Sequence, residues 1–166
     1  MIKGFRYRIL PNSTQEQQIN QMLGNARFVY NWALKTRIEA YQKDKSKVSA
    51  FTLMTELTKL KKQPEYDWLN LSVAQSLQQS IVNMEKAFTR FFREKKGFPR
   101  FKAKHRSKQM VGFPQNTKID FDKGKVSVNK IGWLRARISR TFEGKIKTAT
   151  IEKTATGKYY ISITVE

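Results

Sequence analysis

The sequence contains no cysteine. A disulfide framework is excluded, and so is any zinc site built on thiolates. Histidine is nearly absent as well: His105 stands alone inside a run of charge. No apolar run approaches the roughly 20 residues of a membrane span. The opening Met1-Ile2-Lys3-Gly4-Phe5-Arg6 has no apolar signal-peptide segment. Acidic residues are scarce, with 13 Asp+Glu against 33 Lys+Arg, a formal net charge of +20 in 166 residues. So much like charge repels itself in a compact state and asks for a polyanionic partner. The expectation is a cytoplasmic protein with no membrane partner, no cofactor and no metal.

Hydrophobic residues make up 39% of the chain and aromatics 12%, enough to build a core around that charge. Ile2 to Leu10 alternates, with Phe5, Tyr7 and Ile9 on one face and Arg6 and Arg8 on the other, the pattern of a strand. Pro11 ends it. Ser13 with Glu16 fits a capping box, and Ile19, Met22, Leu23, Ala26, Val29, Tyr30 and Ala33 recur at helical spacing to about Gln42. Ser49 caps a second helix carrying Leu53, Leu57 and Leu60, which Pro64 stops. A third helix opens at Ser72, with a stripe of Val73, Leu77, Ile81, Met84, Phe88 and Phe92. After Gly97 and Pro99 the character changes. Lys118–Asp122, Lys125–Asn129, Leu134–Ile138, Lys147–Lys153 and Lys158–Val165 read as strands, divided by turns at Gly124, Gly132, Gly144 and Gly157. The first strand has no early partner, so it is expected to pair with the late ones. The fold class is α+β: a β-barrel-like domain of residues 1–10 plus 97–166, with a three-helix insertion over residues 11–96.

The densest charge lies between Lys86 and Lys108, where only Glu94 is acidic. Aromatics interrupt it, and Gly97-Phe98-Pro99-Arg100-Phe101-Lys102-Ala103-Lys104 alternates ring with cation. Such a run offers cations to phosphates and rings for stacking; alternatively its rings dock into the core. Candidate phosphate contacts are Arg6 and Arg8 on the first strand, Arg27 in the first helix, and Arg90, Arg93, Lys95, Lys96, Arg100, Lys102 and Lys104. Gln75, Gln78 and Gln79 lie beside the core stripe of the third helix. Glutamine can read adenine in a major groove, although solvated helix surface is the stronger reading of the spacing alone. Asp120 and Asp122 share a strand face and could hold a metal, but no third acid or histidine cluster accompanies them. No catalytic residue is assigned.

The residues also carry a resemblance. Tyr7-Arg8-Ile9-Leu10-Pro11-Asn12-x-x-Gln15 resembles the start of TnpB-type proteins of bacterial insertion sequences. Asn25-Ala26-Arg27-Phe28-Val29-Tyr30-Asn31-Trp32 is similar to their first-helix signature. Leu77-Gln78-Gln79-Ser80 with Ala87-Phe88-x-x-Phe91-Phe92 is similar to their third helix, and Lys96-Gly97-Phe98-Pro99-Arg100-Phe101-Lys102 to their junction. This N-terminal part has long been labelled a helix-turn-helix domain. The resemblance implies an RNA-guided DNA endonuclease family, related to type V CRISPR effectors, with guide RNA and double-stranded DNA as partners. It names the β domain a wedge, an oligonucleotide-binding-like barrel, and the helices a recognition domain. It also assigns readout of a short transposon-adjacent DNA motif to Phe51, Thr55, Gln75, Gln78 and Gln115, with variation in the family at Phe51 and Gln75. The family's acidic nuclease residues and cysteine-based zinc ribbon follow the wedge. This chain is therefore expected to be the nucleic-acid-binding portion without the catalytic half, and not itself an enzyme. Its rivals are a stand-alone helix-turn-helix repressor, a metal nuclease using Asp120 and Asp122, and a basic RNA binder without sequence choice.

Overall fold

The computed structural model describes every residue from Met1 to Glu166. Its elements run β1 (Lys3–Leu10), α1 (Ser13–Asp44), α2 (Ala50–Lys61), a 3₁₀ segment (Pro64–Leu71), α3 (Ala74–Glu94), β2 (Gln109–Phe113), β3 (Lys118–Asp120), β4 (Lys125–Val128), β5 (Gly132–Arg137), β6 (Ile146–Lys153) and β7 (Tyr159–Val165). They gather into two compact units, one of residues Met1–Leu23 with Lys108–Glu166 and one of residues Gly24–Ser107.

The first unit is one seven-stranded sheet in the order β2-β6-β7-β1-β5-β4-β3. Every ladder is antiparallel. β1 finds its partners far along the chain, β7 on one side and β5 on the other, with Tyr7 opposite Ile161 and Ile9 opposite Ala136. The sheet does not close: β2 and β3 are its edges, so the barrel expected from strand order is an open sheet instead. β2 escapes the sequence pattern because it is short, contains Gly112 and follows directly on the charge run.

Period-two burial explains the sheet. Tyr7, Ile9, Val111, Phe113, Val126, Val128, Leu134, Ile151, Ile161 and Ile163 are all buried, on one face of their strands. Phe5 is only half-buried, stacked on Phe142 at 4.8 Å. Tyr7 Oη donates to the carbonyl of Arg140 at 2.7 Å, so its polar end is satisfied in the core. The start of α1 supplies Ile19, Met22 and Leu23, all buried. Its capping box lies one residue earlier than Ser13/Glu16: Asn12 Oδ1 accepts from Gln15 N at 2.9 Å, and Gln15 Oε1 accepts from Asn12 N at 3.1 Å. Asparagine is as good a cap as serine, and glutamine completes the box.

α1 is a single helix of 32 residues, unbroken at Gly24, where the two units meet in sequence. In the second unit, Val29, Tyr30, Ala33 and Leu34 of α1 pack with Leu53 and Leu57 of α2, Leu69, and Leu77, Ile81, Met84 and Phe88 of α3. Ser49 caps α2, its side chain accepting from Thr52 N. Val73 rather than Ser72 is the N-cap of α3. Ser72 is buried instead, and its hydroxyl accepts a hydrogen bond from Asn25 Nδ2 at 2.9 Å. The last residue of the expected α3 stripe departs from it: Phe92 is 65% exposed. The helix end has outrun its partners there, and it stops at Lys95 in the left-handed conformation, φ 54°.

Candidate nucleic-acid interface

The junction after α3 is held by side chains from α1. Asn31 forms a two-way bridge to the backbone of Lys102: its Nδ2 donates to the Lys102 carbonyl at 2.9 Å, and its Oδ1 accepts from Lys102 N at 2.7 Å. A strand neighbour would satisfy an extended backbone in the same way. Here an amide side chain does it, so a loop with no sheet partner is fixed. Pro99 is buried. Phe98 packs edge-on against Phe88 at 5.6 Å and Phe91 at 5.1 Å yet stays half exposed. Ala103 N donates to Ser107 Oγ at 3.0 Å, closing the turn that follows.

The side chains of this pinned backbone divide by role. Lys102 turns inward, its Nζ 4.3 Å from the centre of the Tyr30 ring. Burial pulls its pKa below the usual lysine value. Burial likewise pushes the Tyr30 phenol upward, opposed by the positive charge of Arg90. By contrast, Arg90, Arg93, Lys95, Lys96, Arg100 and Lys104 are exposed, and none forms a salt bridge. Arg37 is different again. It is buried, ion-paired with Glu85 and stacked on Phe88 at 4.3 Å, so it braces the helices beneath the junction. The junction thus presents unpaired cations beside the exposed rings of Phe92, Phe98 and Phe101.

Four of the five readout candidates stand in two pairs. Phe51 is 79% exposed on α2, with Thr55 one turn later on the same face, its hydroxyl donating to the Phe51 carbonyl. Gln78 is exposed on α3 and Gln75, one turn before it, is half-buried; Gln79 is occupied with Asn83 at 3.0 Å. Gln115 is exposed between β2 and β3, in the other unit. Arg27 is half-buried on α1. On the sheet, Arg6 lies 4.0 Å over the Tyr160 ring and is bridged to Glu152 at 2.8 Å. Arg8 is half-buried in the neighbouring position of that strand.

Asp120 and Asp122 do not share a strand face. β3 ends at Asp120, whose Oδ1 accepts from Lys123 N at 3.0 Å, while Asp122 lies in the turn. Asp120 alone closes the turn, and no cluster of three or more His, Cys, Asp or Glu suited to a metal ion occurs anywhere in the chain. His105 is exposed in the turn after the junction. The residues that composition overlooked are Asn25 and Asn31. Both stand in the first-helix signature that carries the family resemblance, but composition and spacing give neither a role.

Residues 1–46 match the family model HTH_OrfB_IS605, described as a helix-turn-helix domain. The chain is 33% identical over 165 residues to a protein of Escherichia coli K12 named "Putative RNA-guided DNA endonuclease InsQ", covering 99% of this chain and 40% of that protein. It is 28% identical over 167 residues to a "Putative RNA-guided DNA endonuclease" of Streptomyces pristinaespiralis, covering 41% of it. It is 30% identical over 114 residues to virulence protein VsdF of Salmonella dublin, covering 63% of this chain and 96% of that protein. The chain thus spans about two fifths of the length of the first two relatives. These matches assign the chain to the TnpB-type family of transposon-associated proteins.

Proposed function

We propose that these residues are the guide-RNA- and DNA-binding portion of a TnpB-like protein, and that they bind nucleic acid without cutting it. The carrying observation is the junction. A loop without sheet partners is pinned by Asn31, while Arg93, Lys95, Lys96, Arg100 and Lys104 remain exposed and unpaired. A protein under selection for stability alone has no use for a rigid ridge of uncompensated charge; phosphates supply the missing anions. In this reading residues 1–10 with 97–166 act as the wedge and residues 11–96 as the recognition domain. Phe51, Thr55, Gln75, Gln78 and Gln115 read the DNA motif, and cleavage is not assigned to these residues. The names of the E. coli and Streptomyces relatives support RNA and DNA as the partners.

The rival repressor reading takes residues 11–96, with α1, α2 and α3, as a helix-turn-helix that binds DNA without RNA. The test is duplex binding by the whole chain, with and without RNA transcribed from the DNA flanking its gene. The proposal expects motif-selective duplex binding only in the presence of that RNA, and no cleavage with Mg²⁺. Equal motif selectivity without RNA would establish the repressor instead.

A further inference from the structure

The sheet buries one face, and the other carries an arrangement that stability alone does not explain. Arg8 of β1 stands directly opposite Arg137 of β5, and Arg135 directly opposite Lys125 of β4. Directly opposed residues in an antiparallel pair share a face about 5 Å apart, and like charges so placed destabilise the sheet. No salt bridge relieves any of the four. The acids on this face are engaged elsewhere: Glu152 holds Arg6 and Lys108, and Asp120, opposite Lys125, caps its own turn. Arg8 Nε is buried and has no hydrogen-bond partner. On the same face of β5 the indole of Trp133 is 47% exposed, and Leu134 beside it points into the core.

We propose that the outer face of β1, β5 and β4 binds a single-stranded segment of nucleic acid, with Arg8, Arg137, Arg135 and Lys125 on its phosphates and Trp133 stacked on an unpaired base. The anion resolves the like-charge pairs that the register forces together. Strandedness follows from the indole: a duplex hides its base faces, whereas an unpaired base offers one to any exposed ring. The site is separate from the junction, and it rests on the reading of the chain as a nucleic-acid binder.

The test uses the full chain, a labelled single-stranded RNA of about 12 nucleotides, within the site sizes of single-strand-binding folds, and the same sequence as a duplex. The variants are the double Arg135→Gln/Arg137→Gln and the single Trp133→Ala. Urea unfolding is measured without nucleic acid. The expected result is an unfolding midpoint for the double variant at or above the parent's, because a repulsion is gone. Its slope of log affinity against log salt should fall by about 0.7 per lost phosphate contact on the single strand. Trp133→Ala should weaken single-strand binding about tenfold, the worth of one stacked base, and leave duplex binding unchanged. Parental affinity and slope in both variants would overturn the site while leaving the functional reading intact. So would a lowered midpoint in the double variant, or an equal loss on duplex for Trp133→Ala. A parent chain that binds neither RNA form would overturn the functional reading together with the site.

Discussion

At the scale of the residue, Lys102 shows binding and stability pulling apart. Its backbone is clamped by Asn31 and its ammonium is drawn over Tyr30, where desolvation lowers its pKa from 10.5. The native lysine therefore gives up its proton at a lower pH than the unfolded one. Between the two pKa values the unfolded chain holds more protons, so the contribution of Lys102 to stability rises with pH across that window. At neutral pH the full desolvation cost is in force, opposed by a cation–π contact worth about 0.5–2 kcal/mol. Lys102→Met keeps the buried stem and removes the charge. It should be at least as stable as the parent at pH 7 by urea unfolding, with its advantage shrinking as the pH approaches 10.5. A variant less stable at pH 7 would mean that the Tyr30 contact outweighs desolvation. Gln78 is the complementary case, exposed and held by no internal hydrogen bond. If it reads a base, Gln78→Ala should cost about 1–3 kcal/mol on the preferred duplex and nothing on a scrambled one. An equal loss on both sequences would remove it from the readout set, and an unchanged affinity would return it to ordinary helix surface.

At the scale of the element, β1 matters most. It sits between β7 and β5, so the N-terminal residues join strands more than a hundred positions away. Removing it would leave two exposed sheet edges where there was continuous pairing, an aggregation hazard as well as a loss of core. Tyr7→Ala should cost about 3–5 kcal/mol by analogy with other large aromatic truncations, and it also deprives the Arg140 carbonyl of its donor. Deleting residues 1–10 should destabilise the strands from β2 onward, seen as lost amide-exchange protection in β5 and β7. Retained protection there would show that the sheet is stable without its central strand. The turns between these strands follow backbone need. Gly124, Gly132, Gly144 and Gly157 all have positive φ, and at Gly144 a Cβ would fall 2.6 Å from the Glu166 carbonyl oxygen.

At the scale of the whole molecule, charge is the dominant property. A net +20 that finds only six salt bridges leaves most cations without an internal partner. Affinity for nucleic acid should fall steeply with salt, and replacing the exposed Arg100 and Lys104 with Ala should flatten the slope by about one unit per lost phosphate contact. Isothermal titration or anisotropy across a salt series would measure it. A slope near zero in the parent would rule out a phosphate-dominated interface.

What the linear pattern determined is whatever depends on neighbours in sequence. The helical stripes of α1, α2 and α3, the turn glycines, the alternation in β1 and the excess of basic charge follow from local periodicity and composition. Even the long reach of β1 could be anticipated, because an alternating strand without an early partner must find a late one. Tertiary structure decided the rest. The true capping pair, Asn12 with Gln15, beat Ser13 with Glu16 by a choice of one residue that local sequence leaves nearly even. β2 became a strand only because the edge of β6 was available to it. The sheet stayed open because β2 and β3 do not pair. Asn31 found its role from a backbone 71 residues away. The opposition of Arg8 to Arg137 depends on register, which no single strand contains. Burial period can be read along a chain; which charges face each other across it is fixed only when the strands are aligned.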